Sequence, residues 1–561
     1  MMKKLIIRYK NIIWFVLLLF FQILILFSYE NKKSGYHIDE MYSFEGAHLI
    51  FDWNYNYWVE DYEEVWKNQW LSGEDIRNYF SVKEESRQIV NIAPSKIVHL
   101  FINNKPYYVL LNLTMSLGNQ TMSKWYGFIL NIVLWTITQI VLYKIGVELL
   151  GNNKGIRVPL LYGISAGAIS MVMYIRMYML WNLLIVLALF FHLKLYKAKK
   201  WYVFLGYVFG SAIVALLAIR TQEYTAIFAI CLVISFEIAC FIHKKIAKGC
   251  AYLGLGTLGL ILYVIVINPK FIQKMLNNPY VNLSKELLEN RNYHDYVHNL
   301  KSYAFLIMSH TVGGVKGILL GLILLGVTVA ILWLKTRKQQ NIKLMPVYSD
   351  ENDTRQDFIE CDIASWIIII VPGIVYYFVY CFIAFYDDHW RYISCIYPSV
   401  VLLIVGVGNS LLHKIQIVHK QNLLFLLIVL GCFIGTVTGD RVDELYREGQ
   451  EITEAIAPYK QANQLMVTYH YAHKSQMQIY RDTYFMDDDQ DIFMTDHISV
   501  QAHVLRDRKD EFKNGTLLWL SKYFENNPTR MDMIYAISEE LGYENIVKIT
   551  DSFESEILYL Y

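Results

Sequence analysis

The stretch from Asn11 to Ser28, NIIWFVLLLFFQILILFS, sets the class of this chain. It carries no charge, and an α-helix needs about 20 predominantly apolar residues to cross the hydrocarbon core of a bilayer. Before it comes a basic start with Lys3, Lys4, Arg8 and Lys10. The apolar run is longer than that of a usual signal peptide, and no small-residue cleavage site comes after it. It therefore reads as an uncleaved first span with the N-terminus inside.

Outward from this span, comparable runs lie near 125–147, 157–176, 178–196, 201–220, 224–243, 249–267, 315–334, 365–385, 393–412 and 421–438. Together they predict about eleven transmembrane helices. The run 106–117 is too short to cross and reads as a re-entrant or interfacial helix, while 300–311 is ambiguous and could raise the count to twelve. Basic loops support eleven: Lys144, Lys154 and Arg157; Lys194, Lys197, Lys199 and Lys200; Lys244, Lys245 and Lys248; Lys335, Arg337 and Lys338; Lys414 and Lys420. All of these fall on the inner side of that topology, as the positive-inside bias requires. Residues 29–105, the 268–300 loop and the C-terminal region then lie outside, and 336–363 reads as an inner linker. The expected fold is an all-α polytopic membrane domain over residues 1–438, including the first outer loop 29–105, followed by a small extracytoplasmic α/β domain over 439–561.

Composition agrees. Of 561 residues 55% are hydrophobic, and the mean hydropathy is +0.29, too apolar for an ordinary soluble chain. The formal net charge of +1 gives no reason to expect nucleic acid as a partner. All seven cysteines fall in apolar or basic-loop segments, so disulfides do not hold the polar regions together. The aromatic content, 15% with 43 Tyr, suits interfacial anchoring and sugar contacts. Trp53, Trp58, Trp66 and Trp70, with Tyr55, Tyr57 and Tyr62, read as amphipathic interfacial helices.

Just beyond the first span comes Gly35-Tyr36-His37-Ile38-Asp39-Glu40-Met41-Tyr42-Ser43. The adjacent carboxylates Asp39 and Glu40 stand about where a lipid headgroup would lie, although a solvated acidic loop is the plainer reading of such a pair. Three cations share this side of the membrane: Lys105, before Pro106-Tyr107-Tyr108; Arg176, in Tyr174-Ile175-Arg176-Met177-Tyr178; and Arg391, after Asp387-Asp388-His389-Trp390. Any one of them could simply snorkel to the interface. Arg176 and Arg391, however, run against the orientation bias, and such cations suit a lipid phosphate. The turn Arg220-Thr221-Gln222-Glu223-Tyr224 adds a further cation and a carboxylate.

Four of these segments, in chain order, resemble the GT-C superfamily of membrane glycosyltransferases, in particular the family 39-like group of protein O-mannosyltransferases and the aminoarabinose transferase of lipid A. Asp39-Glu40 matches the carboxylate pair of the first outer loop. Lys105-Pro106-Tyr107-Tyr108 resembles a Lys/His-Pro-Pro-Leu-Tyr-Tyr helix entry, Arg176-Met177-Tyr178 a Glu-Ala-Arg-Pro-Tyr stretch, and Arg391-Tyr392 the Arg-Tyr start of a late span. The likeness covers roughly residues 12–240 well and the remaining membrane region loosely. Departures are Tyr107 for the second Pro, Asn112 where many relatives have His, and Gln222-Glu223-Tyr224 for a Thr-His-Tyr turn.

The resemblance implies an inverting transfer from a polyprenyl-phosphate sugar to a hydroxyl acceptor on a glycan, glycolipid or protein. Asp39 would be the general base, with Glu40 orienting the acceptor or joining a metal site. Lys105, Arg176 and Arg391 would bind the lipid phosphate, and Glu223, Tyr224 and Tyr392 would be acceptor or auxiliary residues. A divalent cation stays an open question, because no closed set of His or Cys ligands is present. The expected location is a multi-pass cell membrane, with the N-terminus cytoplasmic, in a bacterium. A flippase or transporter of lipid-linked intermediates, or a scaffold for them, is the rival reading. It would call for charges at the bilayer midplane and often for internal repeats.

In the C-terminal region, 441–458 reads as an amphipathic helix and 529–541 as another, with apolar runs at 464–469, 516–520, 545–549 and 556–560 as strands. The acidic run Asp487-Asp488-Asp489-Gln490-Asp491 reads as a solvated loop, since it lacks the spacing and glycine of an EF-hand.

Overall fold

A computed structural model describes the whole chain except residues 1, 52–65, 263–264, 266–292, 341–362, 385–388, 415–420, 470–471 and 525–528. Among the described residues, eight helices are long and apolar enough to cross a membrane, and a bent pair makes nine if counted as one span. The protein is a multi-pass, mostly helical membrane protein. The eight coincide with eight of the eleven runs, from Lys10–Glu30 to Gln421–Thr438. The remaining three depart from the expected count for separate reasons.

The first is the run 157–176, which is broken into two short helices, Arg157–Gly163 and Ala166–Met173. In an apolar interior every freed carbonyl needs a donor. Gln22 Nε2 donates to Pro159 O at 3.0 Å, Gln139 Nε2 donates to Gln22 Oε1 at 3.1 Å, and Asn131 Nδ2 donates to Val172 O at 3.0 Å. Amides on other helices thus satisfy the broken segment.

The second, 315–334, lies in Gly314–Gln340, which meets Tyr293–Val312 at a 47° bend. Gly313 and Gly314 both have φ of +72°, a conformation that L side chains rarely adopt. Gly313, Gly317 and Gly321 recur every four residues along one face and pack against Gly431 and Gly435 of helix Gln421–Thr438, where an added Cβ would overlap backbone. Such small-residue seams let two membrane helices approach closely. The third run, 249–267, is represented by Ile246–Leu262, 17 residues long; the rest of that run, apart from Ile265, lies outside the described residues.

By contacts the chain forms two compact units. One comprises Met1–Leu26, Asn131–Val172 and Met177–Asp443, and the other Phe27–Leu130, Met173–Arg176 and Glu444–Tyr561. The boundary expected at 438/439 grouped 29–105 with the helices, whereas the contacts group that loop with the C-terminal region. A shared six-stranded sheet is the reason. Its strands are β1 (Gln69–Ser72), β2 (Asn463–Thr468), β3 (Asp491–Asp496), β4 (Thr516–Ser521), β5 (Ile546–Asp551) and β6 (Ser555–Leu560), in the order β1-β3-β2-β4-β6-β5. Strands β3, β2 and β4 run parallel, and β1 adds antiparallel to β3 with Trp70 opposite Phe493.

Trp70 is therefore a strand residue rather than part of an interfacial helix, and Trp66 is buried. Trp53, Trp58, Tyr55, Tyr57 and Tyr62 lie outside the described residues. One face of the sheet buries Leu465, Val467, Leu518 and Leu520 against Met533, Ile534 and Ile537 of helix Thr529–Leu541. Of the expected helix 441–458, Glu448–Ile456 is helical. The acidic run is tied down, with Lys460 paired to Asp487 and Arg77 to Asp488.

Candidate functional site

Helix Ile38–His48 starts where the sequence supplies its caps. His37 Nδ1 accepts from the Asp39 N–H at 3.0 Å, and Glu40 Oε2 accepts from the His37 N–H at 2.7 Å, a reciprocal capping box. Both carboxylates thus sit in the first turn, where the helix dipole favours negative charge.

Adjacent in sequence, the two differ in environment. Glu40 is fully buried, and its Oε1 accepts from Lys33 Nζ and from the Ile175 N–H, each at 2.7 Å. Lys33, also buried, donates further to Met173 O at 2.9 Å and Glu444 O at 3.0 Å. One ion pair therefore ties together the start of the first loop, the Tyr174–Arg176 turn and the chain entering the C-terminal region. Asp39 remains partly exposed. Its Oδ2 accepts from the Tyr174 hydroxyl at 2.9 Å, and Oδ1 lies 3.7 Å from Arg176 Nη2.

Arg176 comes after the break that ends Ala166–Met173, on a tight turn in which its N–H bonds Tyr174 O at 2.7 Å. Its Nη1 donates to Asp39 O at 2.8 Å, Tyr108 OH at 3.0 Å and Ser43 Oγ at 3.3 Å. Tyr108 reaches it from helix Pro106–Ser116, the short helix expected over 106–117, which opens with Pro at its first position. Lys105 precedes that helix and is exposed. Asn112, in the same helix, is buried, donating to Ala47 O and Arg87 O and accepting from the Ile89 N–H, so it braces the loop.

In the other unit, Tyr392 packs edge-on to Tyr224, with ring centroids 5.5 Å apart, and to Tyr178 at 6.0 Å, while Tyr380 lies against Tyr224 at 5.7 Å. Arg391 stacks over the Tyr392 ring at 5.4 Å, and Glu223 is exposed beside Tyr224. The structure thus gathers Asp39, Glu40 and Arg176 in one unit and Arg391, Tyr392 and Tyr224 in the other. Among the described residues, no group of three or more His, Cys, Asp or Glu is placed to hold a metal.

No family model and no curated protein matches the chain. Among solved structures, it is similar to ArnT from Cupriavidus metallidurans in the apo state, with 9% identity, 97% of each chain covered and a TM-score of 0.50. A second ArnT structure, bound to undecaprenyl phosphate, matches at 10% identity and a TM-score of 0.49, over 97% of this chain and 98% of that one. The chain has the GT-C fold.

Within this GT-C fold, Lys33 and the roles of His37, Tyr174 and Tyr108 are not legible in the sequence. The last three stood inside the quoted motifs, where a hydroxyl or imidazole two or three positions from a charged residue was the available signal. Lys33 had none, because Asn31-Lys32-Lys33 reads as the flank of a span.

Proposed function

We propose that the protein transfers a sugar from a polyprenyl-phosphate donor to a hydroxyl acceptor at the extracytoplasmic face of a cell membrane, with inversion at the anomeric carbon. The reading rests chiefly on Asp39, a partly exposed carboxylate just past a membrane span, held by Tyr174 and Arg176. The motif order and the GT-C fold support it. The basic inner loops support the orientation, with the N-terminus cytoplasmic and residues 439–561 outside.

In this mechanism Asp39 accepts the proton of the acceptor hydroxyl as its oxygen attacks C1 of the sugar. The C1–O bond to phosphate breaks, and the polyprenyl phosphate leaves with the electron pair. A positioned base of this kind contributes about 10²–10⁴-fold. Lys105 and Arg176 neutralise the charge that grows on the departing phosphate, and the motif resemblance gives Arg391 the same role. Arg176 has a second task, because its bonds to Asp39 O, Ser43 and Tyr108 fix the helix that carries the base. Glu40 positions its neighbour through the Lys33 pair instead of meeting substrate. Tyr224 and Tyr392, which pack ring to ring, and the exposed Glu223 serve as acceptor or auxiliary residues in this reading.

Membranes containing the wild-type chain, given a radiolabelled polyprenyl-phosphate sugar, should release labelled product, and Asp39→Asn should abolish it at unchanged protein level. Movement of label across the membrane without transfer would support a flippase instead, and full activity of Asp39→Asn would remove the base.

A further inference from the structure

Beside the Asp39 helix lies a cavity of about 240 Å³ whose walls include Tyr36, Phe80, Trp125 and Tyr484. Met41 contributes the helix side of it. Residues 39 and 41 point some 200° apart on a helix, at about 100° per residue, so this cavity opens on the opposite face from the Asp39 carboxylate. Lys124 and Trp125 head the span Lys124–Leu150, and Glu30 ends the span Lys10–Glu30, which places the cavity at the membrane boundary.

Two polar groups, one in the cavity wall and one outside its lining, have buried atoms without a hydrogen bond among the described residues. Arg77 lines the cavity and spends its Nη atoms on Met486 O and Asp488, yet its Nε–H is buried without an acceptor. Glu30 is wholly buried, and neither of its carboxyl oxygens receives a hydrogen bond. That carboxyl lies within electrostatic reach of Lys124, Tyr36 and Tyr484, three residues of the cavity wall. Buried polar groups are nearly always satisfied, so donors and an acceptor are expected from whatever fills the adjoining space. Lys124 adds an ammonium, two of whose protons go to Glu30 O and Lys33 O.

Aromatic faces around a few convergent donors and acceptors match a sugar ring, which offers hydrophobic C–H faces and hydroxyls that both donate and accept. We propose that this cavity is a second carbohydrate subsite, taking a neutral sugar residue of a glycan carried at the membrane surface. Its hydroxyls accept from Arg77 and Lys124, and its C–H faces pack on the aromatic walls. The proposal rests on the transferase reading for its biological sense, since it makes the acceptor a glycan held at a residue remote from the attacking hydroxyl. Binding at such a subsite needs neither donor nor Asp39.

The test uses the full chain purified in detergent and an array of immobilised neutral and acidic oligosaccharides, with no donor present. Wild type and Asp39→Asn should retain the same neutral glycans. Tyr484→Leu and Trp125→Leu should each weaken retention about tenfold or more, the scale of one lost stacking face in a desolvated site. In transfer assays the same two variants should raise KM for the acceptor and leave kcat near wild type. Retention of no neutral glycan, retention of acidic glycans alone, or retention unchanged in both variants overturns the subsite. Loss of transfer in Asp39→Asn would still uphold the base in that case. Conversely, neutral-glycan binding by a chain that never transfers would keep the subsite and sink the enzyme.

Discussion

The Tyr174 hydroxyl donates to Oδ2 of Asp39 across 2.9 Å, reaching the carboxylate from the turn that separates a broken membrane segment from the next span. The same hydroxyl lies 3.3 Å from His37 Nδ1, which is already accepting from the Asp39 N–H. Tyr174 thus fixes the rotamer of the proposed base. Tyr174→Phe should lower kcat for sugar transfer by about tenfold, the worth of one orienting hydrogen bond to a charged group, with little change in acceptor KM. Rates measured in membranes at matched protein level check it, and an unchanged kcat would mean that Asp39 needs no such support.

Lys33 and Glu40 form an ion pair at 2.7 Å with both side chains fully buried. Breaking a buried pair by removing one partner leaves an uncompensated charge and costs about 3–5 kcal/mol. Lys33→Met should destabilise the purified protein by that order, read as a fall in melting temperature in detergent. Adding Glu40→Gln should recover part of the loss, because a neutral amide needs no counter-charge. If the double variant melts below the single one, Lys33 is not there to neutralise Glu40.

Asp482, at the end of helix Ala472–Asp482, is buried, and that burial pushes its carboxyl up to about 6 against the opposing Ser555 and Ser552 hydroxyls. An unfolded Asp titrates near 3.9. The folded state therefore binds the proton more tightly than the unfolded chain. The associated stability is fully present below about pH 4 and is lost as pH rises through about 6. At most about 3 kcal/mol is at stake for a shift of roughly two units. Asp482→Asn cannot titrate, so its stability relative to wild type should improve between pH 4 and pH 7. Denaturant midpoints of both proteins at the two pH values give the comparison, and a constant difference would contradict the assignment.

The range of the forces decided which features were legible in the sequence and which were hidden. Hydropathy adds residue by residue, so the eight spans could be read locally, and so could strands such as β4 and helix Thr529–Leu541. The break after Gly163 could not, because Ile164 and Ser165 carry no strong local signal and the freed carbonyls are met by Gln22 and Gln139 from elsewhere in the chain. Strand β1 was hidden for a similar reason, since its pairing partner β3 lies in the C-terminal region. Asp39-Glu40 announced a carboxylate pair. Which of the two is enclosed was decided by Lys33, Ile175 and Tyr174, contacts that no spacing rule supplies.

Arg176 separates charge from geometry more sharply than any other residue in the site. Its Nη1 alone bridges Asp39 O, Ser43 Oγ and Tyr108 OH, and its guanidinium carbon lies 5.8 Å from the centre of the Tyr108 ring. A lysine would keep the positive charge but cannot span these acceptors from a planar fork. If Arg176 served only to neutralise a leaving phosphate, Arg176→Lys would retain most of the activity and Arg176→Gln would lose it. Because Arg176 also holds the Asp39 helix in register, both substitutions should lower kcat by about a hundredfold, the scale of a misplaced catalytic group. A steady-state comparison of the two variants decides between these outcomes. Near-wild-type turnover by Arg176→Lys would confine Arg176 to the phosphate and leave Tyr174 and the capping box to place the base.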